Sequence, residues 1–359
     1  MSIWPYLAFF ALAGLPALLF TKRVHRGLWV AVWFFCILFV GLRHQVGGDW
    51  EGYLLITQRI YGLPLADAIK EQELLFSLLT WLSSRAGFGV YGVNVIGAVI
   101  FFSGLFAYCR KLQAPWLALA ASLPFLVVVA VMSANRQGIA IGIVLYVMSV
   151  WDRWSVLKRS AGIALAALFH ASAAVLLVLS VVDLKISRWK KGLLFLLVGS
   201  CALWLLVRSE AAFLRYTQTY ISEQPEGVYS PGALFHLLLN LVPALLILLY
   251  RRKWRSVVPN WPLIRQLSFV AIGLALLVPF FSVAAGRFSL YLFPISLIFV
   301  SSLPSLFRHA EARALVRTIL VVLLAMVLIV WLAFANTANT YHPYQNVLML
   351  DAHQLELPK

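Results

Sequence analysis

Charge is scarce in this chain, and acid is scarcer than base. Only 12% of the 359 residues are charged, 13 acidic against 29 basic, while 62% are hydrophobic and mean hydropathy is +0.90. Few folds that work in water tolerate that balance. Cysteine is rare as well. Cys36, Cys109 and Cys201 stand singly in apolar segments, with no CxxC pair and no histidine at ligand spacing, so neither a disulfide framework nor a zinc site is indicated. No internal repeat, low-complexity tract or Gly/Ser linker marks a domain boundary, and residues 1–359 read as a single integral membrane domain. Acidic pairs at metal spacing are missing too, so no metal and no cofactor is expected. The N-terminus lacks a basic region and an evident small-residue cleavage position, and its first helix is expected to be retained.

Long uncharged runs stand in place of these features. Residues 86 to 109, 112 to 135 and 227 to 250 are runs of 24, and 318 to 350 is a run of 33. About 20 apolar residues span a bilayer. The fold class read from this is all-α, a polytopic membrane helical bundle. Six basic clusters, at 22–26, 110–111, 152–159, 183–191, 251–265 and 308–317, hold 20 of the 29 basic residues and three of the 13 acidic ones, leaving nine basic against ten acidic elsewhere. That asymmetry is the positive-inside signature. It places the six clusters in the cytoplasm, and the net charge of +16 then reports topology rather than a nucleic-acid partner.

Counting outward from the first cluster gives about ten full crossings, at 3–20, 27–42, 89–109, 115–132, 137–151, 192–207, 232–250, 264–281, 287–304 and 315–335, with both termini outside. Two segments break the alternation. Residues 74 to 84 offer 11 uncharged positions, roughly 16 Å of helix against about 30 Å of hydrocarbon, and predict a short re-entrant helix near 72–87. Residues 160 to 182 are long enough to span but carry basic residues on both flanks; a straight crossing would invert every later loop. A broken helix pair around His170 resolves the conflict, and broken backbone at membrane depth is tolerated where it is buried in protein or lines a wet cavity. Outer loops 43–71 and 208–231 and the outer tail 336–359 are left to build a substrate surface.

Ionisable groups at membrane depth are expensive and are functional candidates by default. On this count they are Arg43, Glu73, Arg136, His170 and Arg287, with Asp49 and Glu51 close by in the first outer loop. Arginine grips phosphate well because its planar fork donates paired hydrogen bonds and keeps its proton, so three on one membrane face point to a pyrophosphate. The plainer alternative is that each snorkels to the interface or pairs with Asp49 or Glu73. His170 is either an interhelical hydrogen-bond partner or a general base, since imidazole accepts a proton near neutral pH. Asp49 and Glu73 are rival bases, weakened where arginine lies beside them. Trp4, Trp29, Trp33, Trp81, Trp116 and Trp151 fall at expected helix ends, as an interfacial belt does. The tail Tyr341-His342-Pro343-Tyr344-Gln345-Asn346 follows the last helix, where its rings either stack on sugars or anchor at the interface.

Five blocks carry a family resemblance: Gly41-Leu42-Arg43-His44-Gln45-Val46-Gly47-Gly48-Asp49-Trp50-Glu51-Gly52-Tyr53, Glu73-Leu74-Leu75-Phe76, Asn135-Arg136-Gln137-Gly138-Ile139-Ala140, Leu168-Phe169-His170-Ala171-Ser172 and Tyr341-His342-Pro343-Tyr344. With Arg287-Phe288-Ser289-Leu290-Tyr291, these resemble the EpsG-like branch of the Wzy-type bacterial polysaccharide polymerases, which are similar to lipid-linked-sugar glycosyltransferases of the GT-C class. The family pattern usually has Tyr where His44 and Trp50 stand, and Tyr-Pro-Tyr in the tail. The resemblance implies transfer of a growing glycan from undecaprenyl pyrophosphate to a hydroxyl of a lipid-linked repeat unit, at the outer face of the bacterial inner membrane. It implies a catalytic set of His170 as base with Arg136, Arg287 and Arg43 on the pyrophosphate, and substrate contacts from Asp49, Glu73, Glu51, Gln137, Tyr291, Tyr341 and Tyr344. The implied partners are the undecaprenyl-pyrophosphate-linked oligosaccharide, membrane lipid, and the chain-length regulator and flippase of the same pathway. Rival readings are an O-antigen-type ligase, a membrane acyltransferase and a lipid-linked sugar transporter; the inverted repeats common in transporters are not evident.

Overall fold

The computed structural model describes all residues except 1, 22–23, 183, 185, 188, 195, 198–199, 201–230, 279–281 and 356–359. The expected crossing at 192–207 falls mostly outside the described residues, and the outer loop at 208–231 almost wholly. The described residues are mostly helical, and the one sheet among them has two short strands. Its contacts form two compact units, Met1–Ser149 with Leu168–His170 and Val300–Lys359, and Val150–Ala167 with Ala171–Phe299.

Among the described residues, Gly89–Cys109 and Ala310–Phe334 are each long and apolar enough to cross a membrane. The pair Ala285–Leu292 and Pro294–Leu306, bent by 45°, makes a third if taken as one span. Other expected crossings are shorter apolar helices, including Trp4–Leu19, Arg26–Gly41, Leu234–Leu249 and Trp261–Leu276. Sixteen residues at the helical rise are roughly 24 Å, short of a full hydrocarbon layer unless flanking residues complete the span. The two long helices play different parts. Of the apolar window of Gly89–Cys109, 61% is buried inside the protein, against 17% for Ala310–Phe334. The latter leaves Ile319, Val322, Leu323, Met326 and Val330 exposed, an apolar face that lipid would solvate and water would not.

In the first unit the Gly89–Cys109 helix packs chiefly on Asn135–Ser149 and Arg26–Gly41. Gly104 and Gly142 bring two of these backbones together: a Cβ on Gly104 would meet the Gly142 carbonyl, and one on Gly142 would meet the Phe101 backbone. With no hydrophobic force between helices in lipid, such close approach is what makes them associate. Between Pro115–Ser122 and Asn135–Ser149 the chain runs as a π-helix over Leu123–Val131, entered at Pro124, which has no N–H to give to a regular helix.

The C-terminal tail closes over this unit. Strand β1, Arg43–His44, pairs antiparallel with β2, Gln345–Asn346, and the Val347 N–H donates to the Leu42 carbonyl at 2.8 Å. Phe9, Phe39 and Tyr344 stack with successive ring centroids 4.2 Å apart. Gly47, at φ +108°, donates its N–H to Thr340, and any side chain there would strike the Met132 carbonyl.

The expected break is present. The helix Val156–Ala167 stops, Leu168–His170 is non-helical, and the chain resumes as a 3-10 turn, Ala171–Leu176, and a short helix, Leu177–Val182. The 12-residue helix Leu74–Arg85 of the first unit occupies the position of the expected short helix. Helices Pro231–Leu249 and Ser282–Ser289 share a core of Leu237, Val278 and Ala285. Asn240 is fully buried and donates to the Ser289 carbonyl at 2.8 Å, an acceptor set free where that helix gives way to the 3-10 turn Leu290–Leu292.

The Gly104 contact gives a direct test of this packing. Gly104→Ala should destabilise the folded protein by about 1–3 kcal/mol through overpacking against backbone. Gly52→Ala, whose Cβ meets nothing, should be neutral or slightly stabilising in thermal unfolding in detergent.

Candidate functional site

The site grows from the start of the Leu74–Arg85 helix. Glu73 is its N-cap residue, in extended conformation, and its carboxylate does not cap its own helix. One of the free N–H groups of that first turn, on Leu75, donates instead to the Leu168 carbonyl at 3.0 Å, which docks the non-helical Leu168–His170 segment on the helix start. The Glu73 carboxylate is thereby turned toward two residues from remote parts of the sequence. Its Oε2 accepts from Nη1 of Arg136 at 2.9 Å, and its Oε1 lies 3.1 Å from Nδ1 of His170.

Arg136 sits in the first turn of Asn135–Ser149. Its Nη1 also donates to Gln72 Oε1 at 2.6 Å, its backbone N–H donates to the Tyr53 hydroxyl at 3.3 Å, and its guanidinium lies 5.8 Å from the Phe76 ring centroid. Its Nε is buried without a hydrogen-bond partner among the described residues. A buried orphan donor is uncommon and requires an explanation.

Electrostatics keeps the carboxylate of the cluster ionised. Burial pushes the Glu73 carboxyl up, but the hydrogen bond with His170 and the positive charge of Arg136 outweigh it, and the group is held down at about 2. An ionised carboxylate can only accept, so Nδ1 of His170 carries the hydrogen. In the neutral ring the lone pair is then on Nε2, which has no partner among the described residues and is not buried. The arrangement is an imidazole oriented by a carboxylate.

The other candidate residues lie apart from this cluster or are occupied. Arg43 is only 2% exposed and donates from Nη1 to the Val40 carbonyl at 2.6 Å and from Nε to Val46 at 3.3 Å. It caps the end of Arg26–Gly41 and is closed to a ligand in this structure. Asp49 and Glu51 are exposed at the start of the helix Trp50–Tyr61, and Gln137 is buried beside Arg136 in sequence. Tyr341 is 2% exposed, with its hydroxyl on the Val129 carbonyl of the π-helix and its own carbonyl accepting from Tyr6. The Tyr344 hydroxyl donates to Phe39 and its ring is stacked on that residue. Both rings anchor the tail, Tyr341 buried and Tyr344 with one face stacked on Phe39. In the second unit, Arg287 is exposed in the last turn of Ser282–Ser289, and the buried Tyr291 has its hydroxyl 3.1 Å from Ser172 Oγ.

Gln72 and Tyr53 belong to the cluster and were not singled out from the sequence, where only ionisable groups were weighed as costly. Both are uncharged, and the only local signal is that Gln72 adjoins Glu73 and Tyr53 closes the first block. Among the described residues no group of three or more metal-ligating side chains occurs.

Apolar helices with exposed faces define a helical membrane protein, and one of its carboxylates holds an imidazole and a guanidinium. The family model described as the EpsG family matches residues 27–346, and the chain belongs to that family. The family is polysaccharide-polymerase-like, which accords with a membrane protein of polysaccharide biosynthesis. Searches of curated proteins and of solved structures returned no match.

Because Glu73 is held below the ordinary 4.5, its contribution to stability is complete above that pH and is lost as pH falls toward 2. Wild type should therefore unfold at higher temperature than Glu73→Gln near neutral pH, and the gap should close between about pH 4.5 and 2. A gap independent of pH would contradict the ionised pairing.

Proposed function

We propose that this chain is a Wzy-type polysaccharide polymerase, a GT-C-like glycosyltransferase that transfers a growing glycan from undecaprenyl pyrophosphate to a hydroxyl of a lipid-linked repeat unit. The reaction is assigned to the outer face of the inner membrane, with about ten crossings, both termini outside and no metal required. The observation that carries the reading is the His170–Glu73 bond, because it orients the ring with Nδ1 on the carboxylate and directs Nε2, in the neutral ring, to take a hydroxyl proton. Family membership supplies the substrate class.

In this scheme the acceptor hydroxyl attacks the anomeric carbon, its proton passes to His170 Nε2, and the bond to the pyrophosphate oxygen breaks with the electron pair leaving on the pyrophosphate. Glu73 holds the imidazole ring and stabilises the imidazolium that forms. Arg136 neutralises Glu73, so an incoming anion is not repelled, and its guanidinium is assigned to the pyrophosphate. Arg287, exposed on the second unit, is assigned to the pyrophosphate as well. Arg43 acts at one remove, by fixing the loop that precedes Asp49 and Glu51. Asp49, Glu51, Gln137 and Tyr291 are assigned to the acceptor and donor sugars.

Purified protein in liposomes, supplied with a defined lipid-linked repeat, should produce a ladder of longer glycans. His170→Ala should lower kcat by roughly 10²- to 10⁴-fold, the range of a lost general base. Arg287→Ala should slow the same step. A wild-type protein that translocates the repeat without elongating it would make this a transporter, and a His170→Ala variant with undiminished turnover would remove the base assigned here.

A further inference from the structure

Two acceptors close on one nitrogen of Arg136. Its Nη1 donates to Gln72 Oε1 at 2.6 Å and to Glu73 Oε2 at 2.9 Å, so both Nη1 hydrogens are engaged. The contact also fixes the amide of Gln72, because a guanidinium carries donors only and the atom facing it must be the amide oxygen. The other two nitrogens differ in reach. Nε is buried without a partner among the described residues, whereas Nη2, which also lacks a partner among them, is not buried. Nη2 is therefore the nitrogen through which Arg136 can meet a ligand.

Glu73 alone does not set that direction. Its carboxylate is divided, with Oε2 on Arg136 and Oε1 3.1 Å from His170 Nδ1. One carboxylate oxygen lets the guanidinium plane swing about the contact, where a two-point fork would hold it. Gln72 supplies the second point, and its backbone is itself secured. The Gln72 N–H donates to the Ser77 hydroxyl at 2.9 Å, and Ser77, fully buried, gives its own N–H to the Glu73 carbonyl at 2.9 Å. One serine thus clamps both residues that grip Arg136. Charge is the second feature. Glu73 and Arg136 balance each other, and Gln72 adds an acceptor without adding charge; a carboxylate in its place would turn a net negative cluster toward an anionic substrate.

We propose that Gln72 is the positioning residue of Arg136: it completes the hold on Nη1, leaves Nη2 directed to the substrate's phosphate oxygens, and does so as a neutral group. The inference rests on the polymerase reading for the identity of the anion, and adds to it the nitrogen that meets the pyrophosphate and the residue that aims it.

The test reads Arg136 itself. Nitrogen-15 NMR of arginine-labelled protein in nanodiscs, with the Arg136 signals assigned by difference against Arg136→Lys, is recorded for wild type, Gln72→Met and Gln72→Glu. Gln72 is partly exposed, so neither replacement opens a void in the core. Wild type should show separate Nη1 and Nη2 signals, since bonds on both Nη1 hydrogens resist rotation about Cζ–Nη1. Methionine, similar in shape but without the acceptor, should speed their exchange roughly tenfold or more, the factor that a hydrogen bond to a charged group is worth, and glutamate should keep the wild-type pattern. In liposomes with a lipid-linked repeat, Gln72→Met should lower kcat by a similar factor. Gln72→Glu should instead raise KM, by an amount that shrinks as salt is added. Arg136 signals indifferent to Gln72→Met, equal kcat losses in the two variants, or a wild-type KM in Gln72→Glu would each overturn the proposal. The spectra need no turnover, which separates the two claims. If wild type elongates nothing, a signal change in Gln72→Met that is absent from Gln72→Glu still supports the hold on Arg136, whereas elongation with indifferent signals sinks the hold and spares the polymerase.

Discussion

One ionised carboxylate organises the chemistry of this protein. Glu73 sits where a helix begins, so its backbone is fixed by that helix and its side chain is free to serve others. It holds Arg136 and His170, whose positions in sequence are remote from it and from each other, and the bond from Leu75 to Leu168 keeps the His170 segment against it. The ionisation is maintained by the partners it organises: Arg136 and His170 overcome the cost of burial. The dependence is therefore mutual. Without the carboxylate the imidazole loses its tautomer and orientation, and Arg136 becomes an unpaired, partly buried cation.

A second constraint acts on the same cluster from the loop at 43–49. The tail pairs with Arg43–His44, stacks Tyr344 on Phe39, and takes the N–H of Gly47, so the loop before Trp50–Tyr61 is held from both sides. That helix carries Tyr53, whose hydroxyl accepts from the backbone of Arg136. The aromatic tail thus bears on the site through packing, and its rings act as structural members. Arg43 belongs to the same arrangement. Its bonds to the Val40 and Val46 carbonyls secure the turn where the helix Arg26–Gly41 hands the chain to the loop.

Much of this was legible in the sequence, though unevenly. The break at His170 followed from charge alone, because a straight helix over residues 160 to 182 would have set every later basic cluster on the wrong side. Glu73, Arg136 and His170 were nominated because ionisable groups near membrane depth are costly. Gln72, Tyr53 and Asn240 escaped that filter because they are neutral, although the buried Asn240 holds a free carbonyl in place as firmly as a charge could. The role of Tyr344 depended on Phe9 and Phe39 standing in one column with it, a relation between positions more than 300 residues apart for Tyr344 and Phe39. Only part of the crossing count has a full-length helix behind it among the described residues, for a different reason. Hydropathy measures how long a run is apolar, whereas several helices end after 16 or 17 residues, one of them begun by the Asn260 cap and Pro262 rather than by a change in composition.

The central claim is that an ionised Glu73 fixes His170 with hydrogen on Nδ1 and a lone pair on Nε2. Nitrogen-15 NMR of histidine-labelled protein in nanodiscs, with the His170 signals assigned by difference against His170→Asn, reads this directly. At a pH where the ring is neutral, the account predicts a protonated Nδ1 and an unprotonated Nε2, with both signals shifting when Glu73 is replaced by Gln. A proton on Nε2, or spectra indifferent to the Glu73 replacement, would contradict it.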